Sequence, residues 1–273
     1  EMDLKVKGKS GDTTVVINFG SIDSTTSATT DTAMNIEDAY VATSVAGVSV
    51  KAGQWDNGNN ALRASTRNDG KIQFDKEFSG VKVTYGTEAE AKSVSKMMDY
   101  VKVAADISGV ALSYKKVSAG EDISVSTTVG GVKASYLVLN RDPANTDRSV
   151  VEVSGSFSGI DVKVAQATAD SGATIEGDTW MGDFEGATGA YDLTAGQDVT
   201  SISLKTQMAG NTVEFRNSRI DDVSNEDTSF NKFIVTRPLA NGTTFEATYT
   251  DLDDKGSTTT DSSTLDLELA VKF

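Results

Sequence analysis

Residues 265–273 read LDLELAVKF, with Leu265, Leu267, Leu269, Val271 and Phe273 at every odd position and Asp266, Glu268 and Lys272 between them. Successive side chains of a strand point to opposite faces, so this stretch has one apolar face and one charged face. The same alternation runs through Met2-Leu4-Val6, Val81-Val83-Tyr85, Val110-Leu112-Tyr114 and Val132-Ala134-Tyr136-Val138. It returns in Ile160-Val162-Val164 with Asp161 and Lys163 opposite, in Val213-Phe215 with Glu214 and Arg216 opposite, and in Phe245-Ala247-Tyr249. Period two of this kind predicts half-buried strands from end to end. Only residues 88–96, EAEAKSVSK, have a helical spacing, and they are few.

Compact turns punctuate the strands at Ala46-Gly47, Ser79-Gly80, Ser108-Gly109, Gly130-Gly131, Ser158-Gly159, Thr188-Gly189, Ala209-Gly210 and Asn241-Gly242. Glycine supplies the positive φ that two-residue hairpins need. Gly189 and Gly210 lie 21 positions apart and Gly47 and Gly80 lie 33 apart, room for a pair of roughly 10-residue strands and a variable loop. The connections opposite are longer and polar, at residues 21–32, 56–69, 141–147, 169–179, 221–228 and 251–262. Short turns on one rim and long loops on the other predict an all-β, closed, antiparallel up-and-down transmembrane β-barrel, residues 1–273 forming one domain. The count is about sixteen strands if residues 178–195, where alternation fails, are one loop, and eighteen if Gly189 closes a hairpin. Residues 1–9 add a seam piece in either case.

The chain has 273 residues, 25 Lys+Arg against 40 Asp+Glu, a net charge of −15, two prolines and neither Cys nor His. Disulfides, thiolate sites, imidazole metal sites and Ser–His–Asp chemistry are thereby excluded. An acidic balance argues against nucleic acid, whose binding depends on phosphate neutralisation. No apolar run is long enough for a membrane-spanning helix or a secretory core, which leaves a β-barrel open because its lipid face is hidden in alternation. Lys, Asp, Glu and Arg on the inner face of such a barrel need water, so the interior is expected to be a wet channel rather than a packed core.

Several stretches resemble the general porins of Gram-negative outer membranes. Residues 35–47 (NIEDAYVATSVAG) followed by 48–54 (VSVKAGQ) are similar to that family's strand, glycine turn and strand ending in Gly-Arg-Gln. Residues 59–86 resemble its loop exit and the next hairpin, residues 4–19 its second and third strands, and Phe273 its C-terminal assembly signal. The family's Arg falls on Gly53, with Lys51 on the same face; the family's first strand has no counterpart. The loop after Gln54 is shorter than the family's inward loop and lacks its Pro-Glu-Phe-Gly-Gly tip. The resemblance implies an outer-membrane location, a homotrimer, contact with outer-membrane lipid and lipopolysaccharide, and recognition of the last strand by the assembly machinery.

It also implies passive diffusion of small hydrophilic solutes and ions with no cofactor and no enzymatic step. Residues 54–70 are the candidate constriction loop, with Asp56 and Asp69 as its acids and Arg63 and Arg67 within it; Lys5, Lys7, Lys51 and Lys82 are the candidate wall cations facing them. The charge of −15 suggests cation preference. Tyr85, Tyr114, Tyr136 and Phe215, each five residues after a turn glycine, with Phe245 and Phe273 nearer the turns, are the expected membrane girdle. The acids of residues 251–261 and 221–227 lack the spacing of a calcium loop and read as solvated, and Asp178 with Asp183 is weak ground for glycoside hydrolysis. A substrate-specific sugar or anion channel, with Trp55 and Trp180 as candidate luminal aromatics, and a surface β protein without a pore are the alternatives.

Overall fold

The computed structural model describes residues 4–20, 35–56, 62, 67–89, 97–142, 146–172, 196–222, 228–239, 242–254 and 261–270. Among them are seventeen strands and no α-helix. They are β1 Leu4–Ser10, β2 Thr13–Gly20, β3 Asn35–Val45, β4 Val48–Asp56, β5 Arg67–Phe78, β6 Val81–Ala89, β7 Met97–Ile107, β8 Val110–Val117 and β9 Gly120–Val129. Then follow β10 Val132–Arg141, β11 Arg148–Phe157, β12 Ile160–Ala169, β13 Gln197–Met208, β14 Asn211–Asp222, β15 Thr228–Pro238, β16 Thr244–Asp254 and β17 Ser262–Ala270. They form one antiparallel up-and-down sheet.

The hairpins follow from turn chemistry. Ala46 and Gly47 have φ of 52° and 71°, Ser79 and Gly80 49° and 82°, and Ala209 and Gly210 51° and 78°. Two central residues at positive φ make the turn whose twist matches that of the strands it joins. On the opposite side not every connection is long, because only Ser118 and Ala119 separate β8 from β9.

β12 pairs directly with β13, from Ile160 opposite Thr206 to Thr168 opposite Asp198. The seventeen are therefore the expected sixteen plus β1, which pairs with β2 from Leu4↔Phe19 to Ser10↔Thr13. The alternative hairpin at Gly189 lies outside the described residues. Glu88 and Ala89, the start of the one helix-like stretch, belong to β6 and pair with Met98 and Met97 of β7.

The chain divides into two compact units, Glu1–Asn60 with Ala64–Asp106 and Leu112–Asp122, and Ala61–Arg63 with Ile107–Ala111 and Ile123–Phe273. In the first unit Val6, Val15, Val41, Tyr85, Val101, Val103 and Tyr114 are exposed on one face. The opposite face carries Lys51, Lys71, Asp75, Lys82 and Tyr100 on cross-strand partners.

In the second unit the two faces exchange character part-way along the strands. On the turn side Val153 opposes Val164, and Leu204, Phe215, Phe233, Tyr249 and Leu265 succeed one another across β13–β17 on an exposed apolar face. Towards the loops that face becomes polar. Ser149 and Thr168 share a hydrogen bond of 2.8 Å, Asn217 donates to Asn231 at 2.9 Å, and Arg219 pairs with Asp221 at 2.9 Å.

The reverse face becomes apolar at the same level. Leu139, Val150, Ala167, Val199, Ile220 and Phe230 join a buried cluster there. Leu62, from the connection between β4 and β5, belongs to that cluster and is fully buried. An amphipathic strand whose phase inverts part-way along presents its apolar residues to the opposite side of the sheet from there on.

Candidate functional site: the charged face of the sheet

Gly53 shapes the first unit's polar face. Its φ is +133°, and a Cβ there would run into the Ala39 carbonyl oxygen and stand 2.8 Å from Tyr40 Cα. No larger residue fits there without a shift of the β3 backbone. The register of β4 on β5 slips between Gly53 and Trp55, a bulge of the kind that re-aims side chains. Trp55 comes to lie edge-on to Tyr40, with ring centroids 6.4 Å apart. The Lys51 ammonium sits 3.9 Å from the Tyr40 centroid and 4.5 Å from that of Trp55. Lys71, almost fully buried, lies 4.5 Å from the Trp55 centroid and donates to the Trp55 carbonyl. Gly53→Ala is expected to cost about 1–3 kcal/mol through this strained and crowded backbone. The check is the temperature at which the folded form converts to the unfolded band on a detergent gel, and an unchanged midpoint would mean the bulge is dispensable.

Asp75 gathers a second group on the same face. It accepts from Gln73 Nε2 at 2.7 Å and Thr84 Oγ1 at 2.5 Å, and its carboxylate is 3.3 Å from Lys82 Nζ. Tyr100 donates its hydroxyl to Gln73 Oε1 at 3.1 Å, with Lys115 Nζ 4.7 Å from its ring centroid.

The second unit's polar face holds charges in both senses. Arg216 Nε donates to Glu214 Oε1 at 2.6 Å, Ser203 donates to the same carboxylate at 3.0 Å, and Lys205 stands 3.9 Å from it. Lys163 is 3.8 Å from Glu152. Asp161, Lys163, Lys205, Glu214 and Arg216 line a hollow of about 430 Å³.

The sequence-predicted residues distribute as follows. Lys51 and Lys82 lie on the polar face of the first unit. Lys5 and Lys7 oppose Asn18 and Val16 in β1 and β2, on the face away from exposed Leu4 and Val6. Asp56 ends β4 and Arg67 and Asp69 belong to β5, so the connection itself spans residues 57–66. The Asp56 amide donates to Asp38 Oδ1 at 3.2 Å, and its register position, opposite Arg67, belongs to the face away from Trp55. Arg63 and Trp180 lie outside the described residues. Tyr85, Tyr114, Tyr136 and Phe215 are all exposed on the apolar face, with Tyr85 stacked on Phe74 at 6.3 Å. Phe245 is half-buried opposite exposed Leu269, and Phe273 lies outside the described residues. Asp251, Asp253 and Asp254 extend β16 rather than forming a loop, and Asp221 and Asp222 end β14; Asp178, Asp183, Glu226 and Asp227 lie outside the described residues.

Composition and alternation gave no prominence to Leu62, Tyr40, Tyr100, Lys205 or Lys232. Lys163 and Arg216 were placed on the charged face by alternation alone, but only the register makes them neighbours of one rung.

An antiparallel sheet of hairpins with no α-helix among the described residues, and with an exposed apolar face opposite a charged one, is the fold of the outer-membrane β-barrels. Solved structures agree. The chain is similar to OccK5 (OpdH) of Pseudomonas aeruginosa, with a TM-score of 0.61, 10% identity, and coverage of 98% of this chain and 88% of that one. OccK10 (OpdN) of the same organism gives 0.61 at 9% identity, covering 99% and 92%. Wzi of Escherichia coli, described as an outer-membrane protein of capsule assembly and a carbohydrate-binding β-barrel, gives 0.57 at 8% identity, covering 97% and 76%. At these identities the likeness is one of fold. No protein-family model matches the chain, and no curated protein matches it in sequence.

Proposed function

We propose that the chain closes into an outer-membrane barrel and forms a water-filled passage through which small hydrophilic solutes diffuse, without turnover and without a cofactor. One observation carries this reading. Across β12–β14, Val164, Leu204 and Phe215 are exposed on one face while Asp161, Lys163, Lys205, Glu214 and Arg216 line a hollow on the other. Exposed apolar side chains in that density suit lipid, and charges on the reverse face suit water. Leu62, between β4 and β5, packs into the buried cluster on the inner wall of this passage. The assembled form is a homotrimer, inserted through recognition of the C-terminal strand.

A saccharide-specific channel is the second reading, favoured by Tyr40, Trp55 and Tyr100 on the polar face. A sugar, however, stacks on a bare ring. Each of these rings already carries a lysine ammonium 3.9 to 4.7 Å from its centroid, and Trp55 is buried. Passive diffusion is therefore the stronger reading. Purified, heat-modifiable protein in a planar bilayer is expected to give discrete conductance steps in potassium chloride that millimolar neutral oligosaccharide leaves unchanged. Block by the sugar would favour the second reading, and folded protein without conductance would refute both.

A further inference from the structure

Two glycines of the first unit's polar face differ in what would resist a larger residue. At Gly53 a Cβ meets the β3 backbone, whereas at Gly86 of β6 each of the three nearest atoms belongs to a single side chain. A Cβ on Gly86 would stand 2.7 Å from the Tyr100 hydroxyl oxygen, 2.8 Å from its Cζ and 2.9 Å from its Cε1. Gly86 has no positive φ, so its backbone does not itself call for glycine. It lies directly opposite Tyr100 of β7 on one side and Gln73 of β5 on the other, so the three form one rung of one face.

The tyrosine makes use of that gap. Adjacent strands lie about 4.8 Å apart, so β5 and β7 are separated by roughly twice that distance. Tyr100 spans it by lying across β6 at Gly86, and its hydroxyl donates to Gln73 Oε1 at 3.1 Å. Gln73 Nε2 donates in turn to Asp75 Oδ2 at 2.7 Å, and Thr84 of β6 donates to the same carboxylate. Lys115 Nζ of β8 stands 4.7 Å from the ring centroid. Gly86 is buried and Tyr100 half-buried, the relation of a covered glycine to its cover. An aromatic ring on the neighbouring strand replaces the packing that a strand glycine lacks. On this face it also fixes how far the ring stands from the wall.

We propose that Gly86 is a slot that keeps Tyr100 flat against the wall, so that the residue at position 86 sets the width of the passage at this rung. A side chain there projects from the same face as Tyr100 and Gln73, directly under the ring. The atoms it would strike lie at the free end of a side chain with two torsions, so the ring yields and the sheet does not. The ring rises off β6 into the passage, its hydroxyl leaves Gln73, and a phenol takes the place of water at that level. The width rests on the passage proposed above; the seating of the ring does not.

The test uses the full chain refolded in detergent and in planar bilayers. Gly86→Ala is expected to lower single-channel conductance in potassium chloride, and Gly86→Val to lower it further. In a Tyr100→Ala background Gly86→Ala should change nothing, because no ring is there to lift. The same cycle is read as the midpoint of heat-modifiable migration. Gly86→Ala should lower that midpoint by about 2–4 °C, the shift that one lost hydrogen bond gives a large domain, and should not lower it in the Tyr100→Ala background. A conductance loss of equal size in both backgrounds, or in neither, overturns the slot and leaves the passage standing. Folded protein without conductance overturns the passage, and the midpoints alone then decide the slot. A fall that Tyr100→Ala removes upholds it, and an equal fall or none in the two backgrounds overturns it. If Gly86→Ala does not fold, folding of the double variant upholds the slot, and failure of both overturns it.

Discussion

Arginine placed at Val164 is expected to destabilise the membrane-embedded protein by about 2–4 kcal/mol, the cost of a cation on the lipid face of a barrel strand. Arginine at Gln166, two residues on and pointing the same way, is expected to cost under about 1 kcal/mol, the value near an interface. The contrast follows from the change of phase in β12. Val164 is 42% exposed and shares its face with Val153 and Ile202. Gln166 neighbours Val151 and Thr200, and beyond it stand Thr168 and Asp198, where the face has turned polar. On the proposed reading the passage from lipid to water falls at the level of Gln166, where Val151 is the last apolar neighbour on that face. Denaturant unfolding of the two variants in lipid vesicles measures the difference directly. Equal costs would mean that the apolar face of β12 does not meet lipid, and the membrane reading would fail with it.

That boundary shows what the chain discloses in one dimension and what it withholds. Strands and turns are local properties. Leu265, Leu267 and Leu269 alternate with charges and form β17, and the Ala-Gly and Ser-Gly pairs take positive φ at both positions. The site is not local. Alternation alone puts Lys163 and Arg216 on the charged face, but they become members of one rung only because β12, β13 and β14 pair in a particular register. Ala165, Ala167 and Ala169 are small enough to read as spacers, and their role as a floor for Leu62 depends on strands far away in sequence. The bulge at Gly53 likewise turns on the approach of Ala39 from the neighbouring strand. A net charge says least of all, because it sums charges that the register places on opposite faces of the sheet.

Leu62→Asp is expected to release the connection between β4 and β5 while leaving the strands intact. Leu62 is fully buried among Leu139, Val150, Val199, Ile220 and Phe230, and its carbonyl accepts a hydrogen bond from Arg148 Nη1 at 3.3 Å. Losing a buried leucine costs about 2–5 kcal/mol, and an unpaired carboxylate in that cluster adds several more. The segment avoids both costs by leaving the wall. A change of even about 3 kcal/mol shifts the balance of seated to unseated by roughly two orders of magnitude, since about 1.4 kcal/mol is tenfold. Two consequences follow for residues 57–66. Trypsin should cut after Arg63 far faster than in the wild type, while heat-modifiable migration of the barrel persists. If this connection constricts the proposed passage, the same variant changes single-channel conductance. Leu62→Met, which conserves volume at a cost below about 1.5 kcal/mol, should keep the wild-type conductance and cleavage rate. If Leu62→Asp cuts faster yet conducts as before, the segment is anchored but does not constrict. If neither quantity moves, the cluster does not hold the segment at all.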